Sequence, residues 1–436
     1  MKVLKFGGTS VGSSSSIKEV AKLVNNNEVN FVVLSAMTGT TNELVSISDC
    51  LNNKDQQAAN AKIEKLECNY YDVVNALYST NAFLEKGREL IACHFDYIKS
   101  FTQDMFTLYE EKAILAQGEL ISTALFHFFL QEQNIPSVLV SALNFMRIDK
   151  QNEPDTFYIR ENLNREMKAN PGVKIYITQG FICRNAFGEI DNLKRGGSDY
   201  SASIIGQALN AEEIQIWTDI DGMHNNDPRM VENTKPLAQL SFDEAAELAY
   251  FGAKILHPSS ILPAKIANIP VRLKNTMAPS AEGTLISSEV VGEGIKAIAA
   301  KDEITAIKIK SDRMLLAHGF LRKVFEIFET YKTSIDMITT SEVAVSVTID
   351  DIRHLPQIVD ELKHYGMVEV DTELSIISIV GNFLNESKGF AFQIFDSLQN
   401  IPVRMISYGG SHHNVSVLVN TSDKKEALNA IHNKVF

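Results

Sequence analysis

The sequence predicts an α/β protein in which a mainly parallel sheet lies between helices and is followed by two small ferredoxin-like modules. The first observation is that β-branched strands run into glycine turns and then helices, at Lys2–Phe6 and again at Val29–Met37. Two such units in a row predict a βαβ sheet with its ligand edge at the turns. The second observation is a C-terminal repeat whose copies each follow the order strand, helix, strand, strand, helix, strand.

Length and composition exclude several classes of protein. The 436 residues are 45% hydrophobic and 22% charged, which is typical of a globular chain. Such a length allows about two to four domains. No apolar run has transmembrane length and no signal region precedes the first strand, so a cytoplasmic location is expected and a membrane partner is not. The net charge of −13 argues against nucleic acid, and the four cysteines lack metal-ligand or disulfide spacing.

The first glycine turn, Gly7–Ser14, is a candidate phosphate cradle. Its glycine spacing resembles a P-loop, but Ser13 stands where that motif has its lysine, so the turn is not a Walker A motif. Lys5 on the strand side is the nearby cation. Ser16 and Glu19 predict a capping box for the helix that follows. The alternative is a tight turn beside a solvated lysine.

The central stretch of the chain carries a second site candidate. Val173–Thr178 predicts a buried strand, and a hairpin with its tip at Asn185–Gly188 follows. Next come Arg195 and the pair Gly196–Gly197, which lets the backbone approach a ligand closely. Ser198 is predicted to cap the next helix, whose free N–H groups favour an anion.

A further buried strand is predicted at Ile214–Trp217, and the acidic turn Thr218–Gly222 leaves its C-terminal end, where open α/β sheets place ligands. A loop of turn-forming residues follows at 223–229. Phe242–Phe251 predicts an amphipathic helix. Lys254, just after that helix, has the plain interpretation of a surface residue at a helix junction.

Upstream of these stretches, residues 55–116 predict long helices, and Gly118–Thr123 begins another. Glu119 would lie in its first turn. The plain interpretation of Glu119 is an acid that suits the helix dipole.

The C-terminal repeat is visible residue by residue. Gly319-Phe320 recurs as Gly389-Phe390, and Val345–Val347 recurs as Val415–Val417. Paired modules of this kind are usually sensors or dimer contacts. A passive dimerisation unit is the alternative.

The domain limits follow from these patterns. The first domain is predicted over 1–290 and the second over 296–436. Within the second, the first module is expected at about 311–371 and the second module at about 372–436. A strand from 296–310 could contribute to the second module.

Six ordered motifs resemble the aspartokinase family, and the repeat resembles that family's pair of ACT domains. The motifs are Lys5–Ser10, the serine-threonine turn that ends at Asn42, Gly118–Thr123, Arg195–Asp199, Trp217–Asp219 and Phe251–Pro258. The resemblance covers essentially the whole chain and implies the amino-acid-kinase fold. It implies transfer of the γ-phosphoryl group of MgATP to the side-chain carboxylate of L-aspartate, which gives 4-phospho-L-aspartate for lysine, threonine and methionine synthesis. No homoserine dehydrogenase segment follows, so a monofunctional form is expected.

The implied chemistry agrees with the residue types. An aspartate side chain, with a pKa of about 3.9, is ionised at pH 7 and needs no general base. Phosphoryl transfer then depends on positioning and charge neutralisation. By the resemblance, Lys5, Lys254 and the amides of Gly7 and Gly8 clamp the phosphates, while Asp199 holds the lysines in place.

The resemblance also implies the substrate pocket and the nucleotide side. Arg195 would take the α-carboxylate of aspartate as a bidentate pair, and Glu119 would take its ammonium group. The other pocket residues would be Ser35, Thr41 and Ser198. The nucleotide side would comprise Thr218, Asp219, His224 and Arg229, with His224 where relatives usually carry tyrosine. No protein metal site is expected, since Mg²⁺ would arrive with ATP.

Regulation by lysine is implied by similarity to the lysine-responsive class. The residues that carry this similarity are Met314, Gly319, Phe320, Leu321, Ser334, Ile335, Asp336, Ser341 and Glu342. Asp336 and Glu342 would offer anions to two ammonium groups, with solvated loop acids as the alternative. A homodimer through the ACT domains, or a higher assembly, is expected. A kinase for another acidic amino acid and a non-catalytic amino-acid sensor are the competing interpretations of function.

Overall fold

The computed structural model describes residues 1–103, 106–193, 196–252, 256–310, 319–382 and 388–436. Three predicted site residues, Arg195, Lys254 and Met314, lie outside the described residues. The chain divides into two compact units. Unit 1 comprises Met1–Met223, Ala238–Phe242 and Leu256–Glu289, and unit 2 comprises His224–Leu237, Asp243–Ile255 and Val290–Phe436. Unit 2 thus takes two segments from within the 1–290 range that the sequence had suggested for one domain.

Unit 1 is built on an eight-stranded sheet of order β3-β4-β2-β1-β7-β9-β10-β8. Its strands are β1 Lys2–Phe6, β2 Asn30–Leu34, β3 Ser137–Leu139, β4 Ile175–Gln179, β7 Glu213–Thr218, β8 Gln239–Ser241, β9 Val271–Asn275 and β10 Thr284–Ser287. Every neighbouring pair is parallel except β9 with β10. A separate hairpin joins β5 Ile182–Arg184 to β6 Ile190–Asn192, as predicted.

Helices flank this sheet. They are α1 Ser14–Val24, α2 Thr40–Asn52, α3 Gln56–Leu77, α4 Asn81–Ser100, α5 Leu108–Leu115, α6 Gln117–Glu132, α7 Ala142–Phe145, α8 Thr156–Ala169, α9 Gly197–Leu209 and α11 Leu262–Ile266. The intervening helix, α10 Phe242–Tyr250, belongs to unit 2 except for its first residue. Strands β1, β2 and β4 share a buried core with α1 to α6. The run Leu108–Glu132 is apolar and long enough to cross a membrane, but 83% of its most apolar window is buried inside the chain. It therefore has the burial of a core helix.

The predicted capping box at Ser16 and Glu19 is wrong. Helix α1 begins earlier, at Ser14, because Ser13 is the N-cap and its hydroxyl accepts the N–H of Ser16 at 3.2 Å. Ser13 has the extended backbone that a cap requires. Glu19 pairs instead with Lys22 on the exposed helix face.

Unit 2 contains a six-stranded antiparallel sheet of order β12-β13-β11-β14-β16-β15. Its strands are β11 Gly294–Lys310, β12 Ile338–Thr340, β13 Ala344–Ile349, β14 Met367–Asn382, β15 Met405–Ser407 and β16 Asn414–Asn420. Its helices include α12 Phe320–Thr330, α13 Leu355–Leu362, α14 Phe390–Ser397 and α15 Lys424–Val435.

The two repeat copies share their longest strands. The second half of β11 pairs with β13 and with the first half of β14, while its first half pairs with the second half of β14. The register shifts between Lys301 and Ile304 mark the change from one module to the other. The repeat also holds at the backbone level, because α12 and α14 each follow a left-handed glycine, Gly319 at φ 86° and Gly389 at φ 77°.

Candidate active site and effector site

The carboxyl ends of four parallel strands of unit 1 meet at one edge of the sheet. Phe6 at the end of β1 lies level with Leu34 of β2 and Trp217 of β7, and Leu34 lies level with Gln179 of β4. The residues that follow these strands are therefore brought together, as the sequence predicted. This edge is where doubly wound sheets bind their ligands.

The first glycine turn packs closely on neighbouring backbone at this edge. A Cβ atom on Gly8 would lie 3.0 Å from the carbonyl oxygen of Ala36, so the close approach requires glycine. The N–H of Gly7 donates to the carbonyl of Trp217 at 3.2 Å. The N–H of Gly7 is thus already bonded within the chain, and the phosphate role expected of the Gly8 amide stays a prediction.

Lys5 and Asp199 form an ion pair beside this turn. The ammonium nitrogen of Lys5 lies 2.7 Å from Oδ1 of Asp199, and the two side chains are only 11% and 14% exposed. Lys5 is on β1, and Asp199 is in the first turn of α9. A nearly buried charge pair is held in place more firmly than a surface one. Lys5 is thus fixed with its charge at the carboxyl edge of the sheet.

The start of α9 differs from the predicted serine cap. The N-cap is Gly196 in a left-handed conformation at φ 74°, and Ser198 lies within the first turn. A Cβ atom on Gly180 would lie 2.6 Å from that of Ser198, so the helix start packs directly on the end of β4. The buried hydroxyl of Ser201 accepts the N–H of Phe181 at 2.9 Å and fixes the same contact.

Glu119 is buried, which corrects the plain interpretation of it as a helix-dipole acid. Its Oε1 accepts the N–H of Ala36 at 3.1 Å. Its Oε2 is buried and has no hydrogen-bond partner within the described residues. Burial raises the pKa of Glu119 to about 7. With Oε1 held by Ala36 and Oε2 without a described partner, the carboxylate is suited to bind a cation.

A buried polar network that the sequence did not reveal supports Glu119. The side chain of Gln179 donates to the hydroxyl of Thr123 at 2.7 Å, and Thr123 donates to the backbone carbonyl of Glu119 at 2.8 Å. The hydroxyl of Ser122 donates to the carbonyl of Ser35 at 2.8 Å. The one available signal was a polar residue, Gln179, at the end of a β-branched strand.

The remaining predicted pocket and nucleotide residues fall into both units. Thr41 lies in the first turn of α2. The hydroxyl of Thr218 donates to Asp219 at 3.0 Å, and the carbonyl of Thr218 accepts the N–H of Thr276 at 2.8 Å. The hydroxyl of Ser10, in the glycine turn, lies 2.7 Å from the hydroxyl of Thr276. Thr276 therefore contacts both the glycine turn and Thr218, where the nucleotide side begins.

His224 and Arg229 belong to unit 2. The ring of His224 lies 3.2 Å from the hydroxyl of Thr234. The guanidinium of Arg229 binds both carboxylate oxygens of Asp227, at 3.0 and 2.8 Å, and lowers the pKa of Asp227. The Arg229 side chain is 83% exposed, so its remaining donors face solvent.

The predicted effector residues of unit 2 are not equivalent. Asp336 is not a solvated loop acid, because its side chain is fully buried and its Oδ1 binds the ammonium of Lys301 at 2.8 Å. Glu342 is exposed. Phe320 is buried in the core of the first module, whereas Leu321 is 38% exposed.

The remaining effector candidates differ in exposure and backbone contacts. Ser334 is exposed and Ile335 packs against the module core. The N–H of Ser341 donates to the carbonyl of Ala344 at 2.8 Å. Gly319 precedes α12 as expected. Within the described ranges, no group of three His, Cys, Asp or Glu residues could hold a metal ion.

Comparison with family models and known proteins gives a consistent result. A model of the amino acid kinase family matches residues 1–275, and a model of the ACT domain matches residues 377–435. The chain is 32% identical to lysine-sensitive aspartokinase 3 of Escherichia coli, over 100% of this chain and 99% of that protein. It is 35% identical to the chloroplastic aspartokinase 3 of Arabidopsis thaliana, over 100% of this chain and 81% of that protein.

Solved structures agree with these matches. The crystal structure of E. coli aspartokinase III in complex with aspartate and ADP, in the R-state, matches with a TM-score of 0.87 at 32% identity over 100% of both chains. The T-state structure with lysine and aspartate matches with a TM-score of 0.83 at 32% identity, over 100% of this chain and 99% of that one. The aspartate kinase of Clostridium acetobutylicum matches with a TM-score of 0.84 at 27% identity over 100% of both chains.

Proposed function

The chain belongs to the aspartokinase family and is an aspartate kinase, and on that premise we propose that Lys5, Asp199 and Glu119 are central to its active site. The reaction transfers the γ-phosphoryl group of ATP to the side-chain carboxylate of L-aspartate. The observation that carries the assignment is the Lys5–Asp199 ion pair, 2.7 Å long, beside the glycine turn at the carboxyl edge of the sheet.

The geometry suits a reaction that needs no base. An oxygen of the aspartate carboxylate attacks the γ-phosphorus, the bond to the β,γ-bridging oxygen breaks, and ADP leaves with that electron pair. Because the attacking carboxylate is already ionised near neutral pH, no proton has to be removed. Lys5 stabilises the charge that builds on the transferring oxygens, and Asp199 keeps its ammonium group in position.

Glu119 is proposed to bind the ammonium group of L-aspartate. Its Oε2 is buried without a described partner, and Oε1 is fixed by Ala36. A cation bound there would relieve the cost of burying an ionised carboxylate. Arg195 for the α-carboxylate and Lys254 for the phosphates remain proposals from family resemblance, with Ser35, Thr41 and Ser198 completing the pocket.

The nucleotide is proposed to bind at the same edge, next to Thr218 and Asp219. For His224 and Arg229 of unit 2, a nucleotide role rests on the family resemblance alone. Mg²⁺ would arrive on the phosphate oxygens. Magnesium in kinases usually takes only one or two carboxylates from the protein, so the lack of a ligand cluster in the described part does not conflict with it. Asp219 is exposed, and its carboxylate fits such a ligand.

We further propose that the chain is inhibited by lysine bound in unit 2 and that two chains associate through this unit. The edge strand β12, Ile338–Thr340, supports association because all three of its residues are exposed and it pairs on one side only. The cytoplasmic location and the domain limits also remain proposals.

The test is hydroxamate formation dependent on both ATP and L-aspartate, repeated with L-glutamate and N-acetyl-L-glutamate in place of L-aspartate. We expect product only with aspartate, and a rate that falls as lysine is added. A glutamate rate equal to the aspartate rate would favour the kinase for another acidic amino acid. No turnover with any of the three would favour the non-catalytic sensor.

A further inference from the structure

A charge cluster centred on the buried side chain of Asp336 joins helix α10 to the first module of unit 2. Oδ1 of Asp336 accepts hydrogen bonds from the ammonium of Lys301 at 2.8 Å and from the hydroxyl of Tyr250 at 2.7 Å. Lys301 also pairs with Asp350 at 2.9 Å and lies over the ring of Tyr250, 4.6 Å from its centroid. Tyr250, the last residue of α10, is therefore bonded to the carboxylate that the sequence assigned to the effector.

The cluster has an excess of negative charge. Asp336 and Asp350 face the single ammonium of Lys301, and the second oxygen of Asp336, Oδ2, is buried without a partner among the described residues. An uncompensated buried carboxylate oxygen is costly, so a further cation at Oδ2 would be favourable. An ammonium group of a diamino acid such as lysine has the required charge and donors.

Helix α10 is held on unit 2 along its length. Glu244 binds the ammonium of Lys296 at 2.8 Å, and Glu247 accepts hydrogen bonds from Ser411, at 3.1 Å, and Asn414. In the sequence, however, residues 238–242, which end at the first residue of this helix, and residues 256–289, which follow it, belong to unit 1. Helix α10 is therefore connected along the chain to unit 1 on both sides.

We propose that Tyr250 is a positioning residue that couples lysine occupancy at Asp336 to the position of helix α10. An effector ammonium at Oδ2 competes for the carboxylate charge that Tyr250 and Lys301 share at Oδ1. The hydroxyl of Tyr250 is then held less strongly, and the C-terminal end of α10 changes position. This coupling rests on the proposed function, namely aspartate kinase activity inhibited by lysine.

Coupling of this kind explains how lysine inhibits the enzyme without contacting the substrate. A ligand shifts a conformational equilibrium only by binding one state better than another. Here the two states differ in whether Tyr250 is bonded to Asp336. Removing the Tyr250 hydroxyl should therefore uncouple the two sites while leaving the lysine-binding carboxylate intact.

The experiment compares wild type, Tyr250→Phe and Tyr331→Phe as full-length proteins. Tyr331 is the matched control because its hydroxyl also donates to a carboxylate of unit 2, that of Glu361, at 2.6 Å. Initial rates are measured across a lysine titration, each divided by the rate of the same variant without lysine, and lysine binding is measured by calorimetry. The values of kcat and of the aspartate KM are determined separately.

We expect Tyr250→Phe to bind lysine at least as tightly as wild type, because the competing hydroxyl is gone, but saturating lysine should lower its rate by less than about twofold, with kcat reduced and the aspartate KM little changed. Tyr331→Phe should match wild type. Equal inhibition of Tyr250→Phe and wild type would overturn the coupling, and so would loss of lysine binding in Tyr250→Phe or the same defect in Tyr331→Phe. A wild type that makes no phosphoaspartate would instead contradict the proposed function itself.

Discussion

The ammonium of Lys5 and the carboxylate of Asp199 lie 2.7 Å apart, although they come from the first strand of unit 1 and from a helix in the centre of the sequence. The pair exists because β1 and β7 are neighbouring parallel strands and α9 immediately precedes β7. The fold therefore sets the position of the cation that is proposed to act on the transferring phosphoryl group.

The first prediction concerns Lys5→Met. We expect kcat to fall by about two to three orders of magnitude, equivalent to roughly 3 to 4 kcal/mol of transition-state stabilisation, because a preorganised charge is lost. The aspartate KM should change little. Steady-state kinetics with both substrates varied gives the two parameters.

The control is Lys2→Met, which removes a lysine from the same strand. Lys2 pairs with Glu28 at 2.9 Å and is more exposed than Lys5, so its removal should leave kcat within about twofold of wild type. Near-normal turnover in Lys5→Met would remove Lys5 from the phosphate site.

The second prediction is a pH dependence set by Glu119. Its pKa is raised to about 7 by burial, and only the ionised carboxylate binds an ammonium group. The aspartate KM should therefore rise as pH falls from 8 to 6, approaching tenfold per pH unit below 7. In Glu119→Gln the KM should be high and independent of pH over this range. A wild-type KM that is flat between pH 6 and 8 would contradict the assignment.

Ionisation of Glu119 should favour aspartate binding but lower the stability of the folded protein. Its folded pKa is above the usual value of 4.5, so its contribution to stability is complete below about 4.5 and is lost as pH rises through 7. The difference amounts to about 3 kcal/mol at high pH. Glu119→Gln should melt at a higher temperature than wild type at pH 8, with a smaller difference at pH 5. Melting curves without substrate provide the check.

Much of this edge could be predicted from the sequence because the signals are local. Strands that alternate with glycine turns predicted the parallel sheet, and the hairpin tip at Asn185–Gly188 predicted the β5–β6 hairpin. The cap predicted at Ser16 was wrong because Ser13, a serine one turn earlier, is the N-cap of α1. Local pattern cannot decide which residue adopts the extended backbone.

The sequence did not predict which distant segments of the chain contact each other. The periodicity of 242–251 predicted α10 but not that it packs with unit 2, since an amphipathic face does not specify its partner. Asp336 and Glu342 looked equivalent as loop acids, and only the fold brings Lys301 to one of them. Glu119 looked like a first-turn acid because burial depends on neighbours that are distant in sequence.

The third prediction is that Gly180→Ala impairs the site while Gly410→Ala does not. A Cβ atom on Gly180 would lie 2.6 Å from the Cβ of Ser198 and 2.9 Å from its Cα, so the start of α9 must move. Overpacking of this kind costs about 1 to 3 kcal/mol. Because Asp199 is the next residue, kcat/KM should fall at least about tenfold. Gly410, where a Cβ meets nothing within 4 Å, is the control for a glycine replacement in open space.

Both variants would be compared with wild type by steady-state kinetics and by melting temperature. Gly410→Ala should retain the wild-type values. If Gly180→Ala were fully active with an unchanged melting temperature, the start of α9 would not need its close contact with β4.

The last prediction separates the two acids proposed to bind lysine. Asp336→Asn keeps the shape of the side chain and an oxygen for Tyr250, but it removes the excess negative charge of the cluster. A hydrogen bond to a charged group contributes about 1.5 to 3 kcal/mol, so the lysine concentration for half inhibition should rise by roughly ten- to a hundredfold. Glu342 is exposed, and an exposed ion pair contributes at most about 1 kcal/mol. Glu342→Gln should therefore shift the same concentration by less than about fivefold.

Initial rates across a lysine titration, with calorimetry of lysine binding to each variant, distinguish the two effects from a loss of activity. The order of the two shifts is the decisive result, because the sequence alone gave both acids the same role. A larger shift in Glu342→Gln than in Asp336→Asn would place the effector ammonium away from the cluster around Asp336. Wild-type sensitivity in both variants would place lysine elsewhere in the protein.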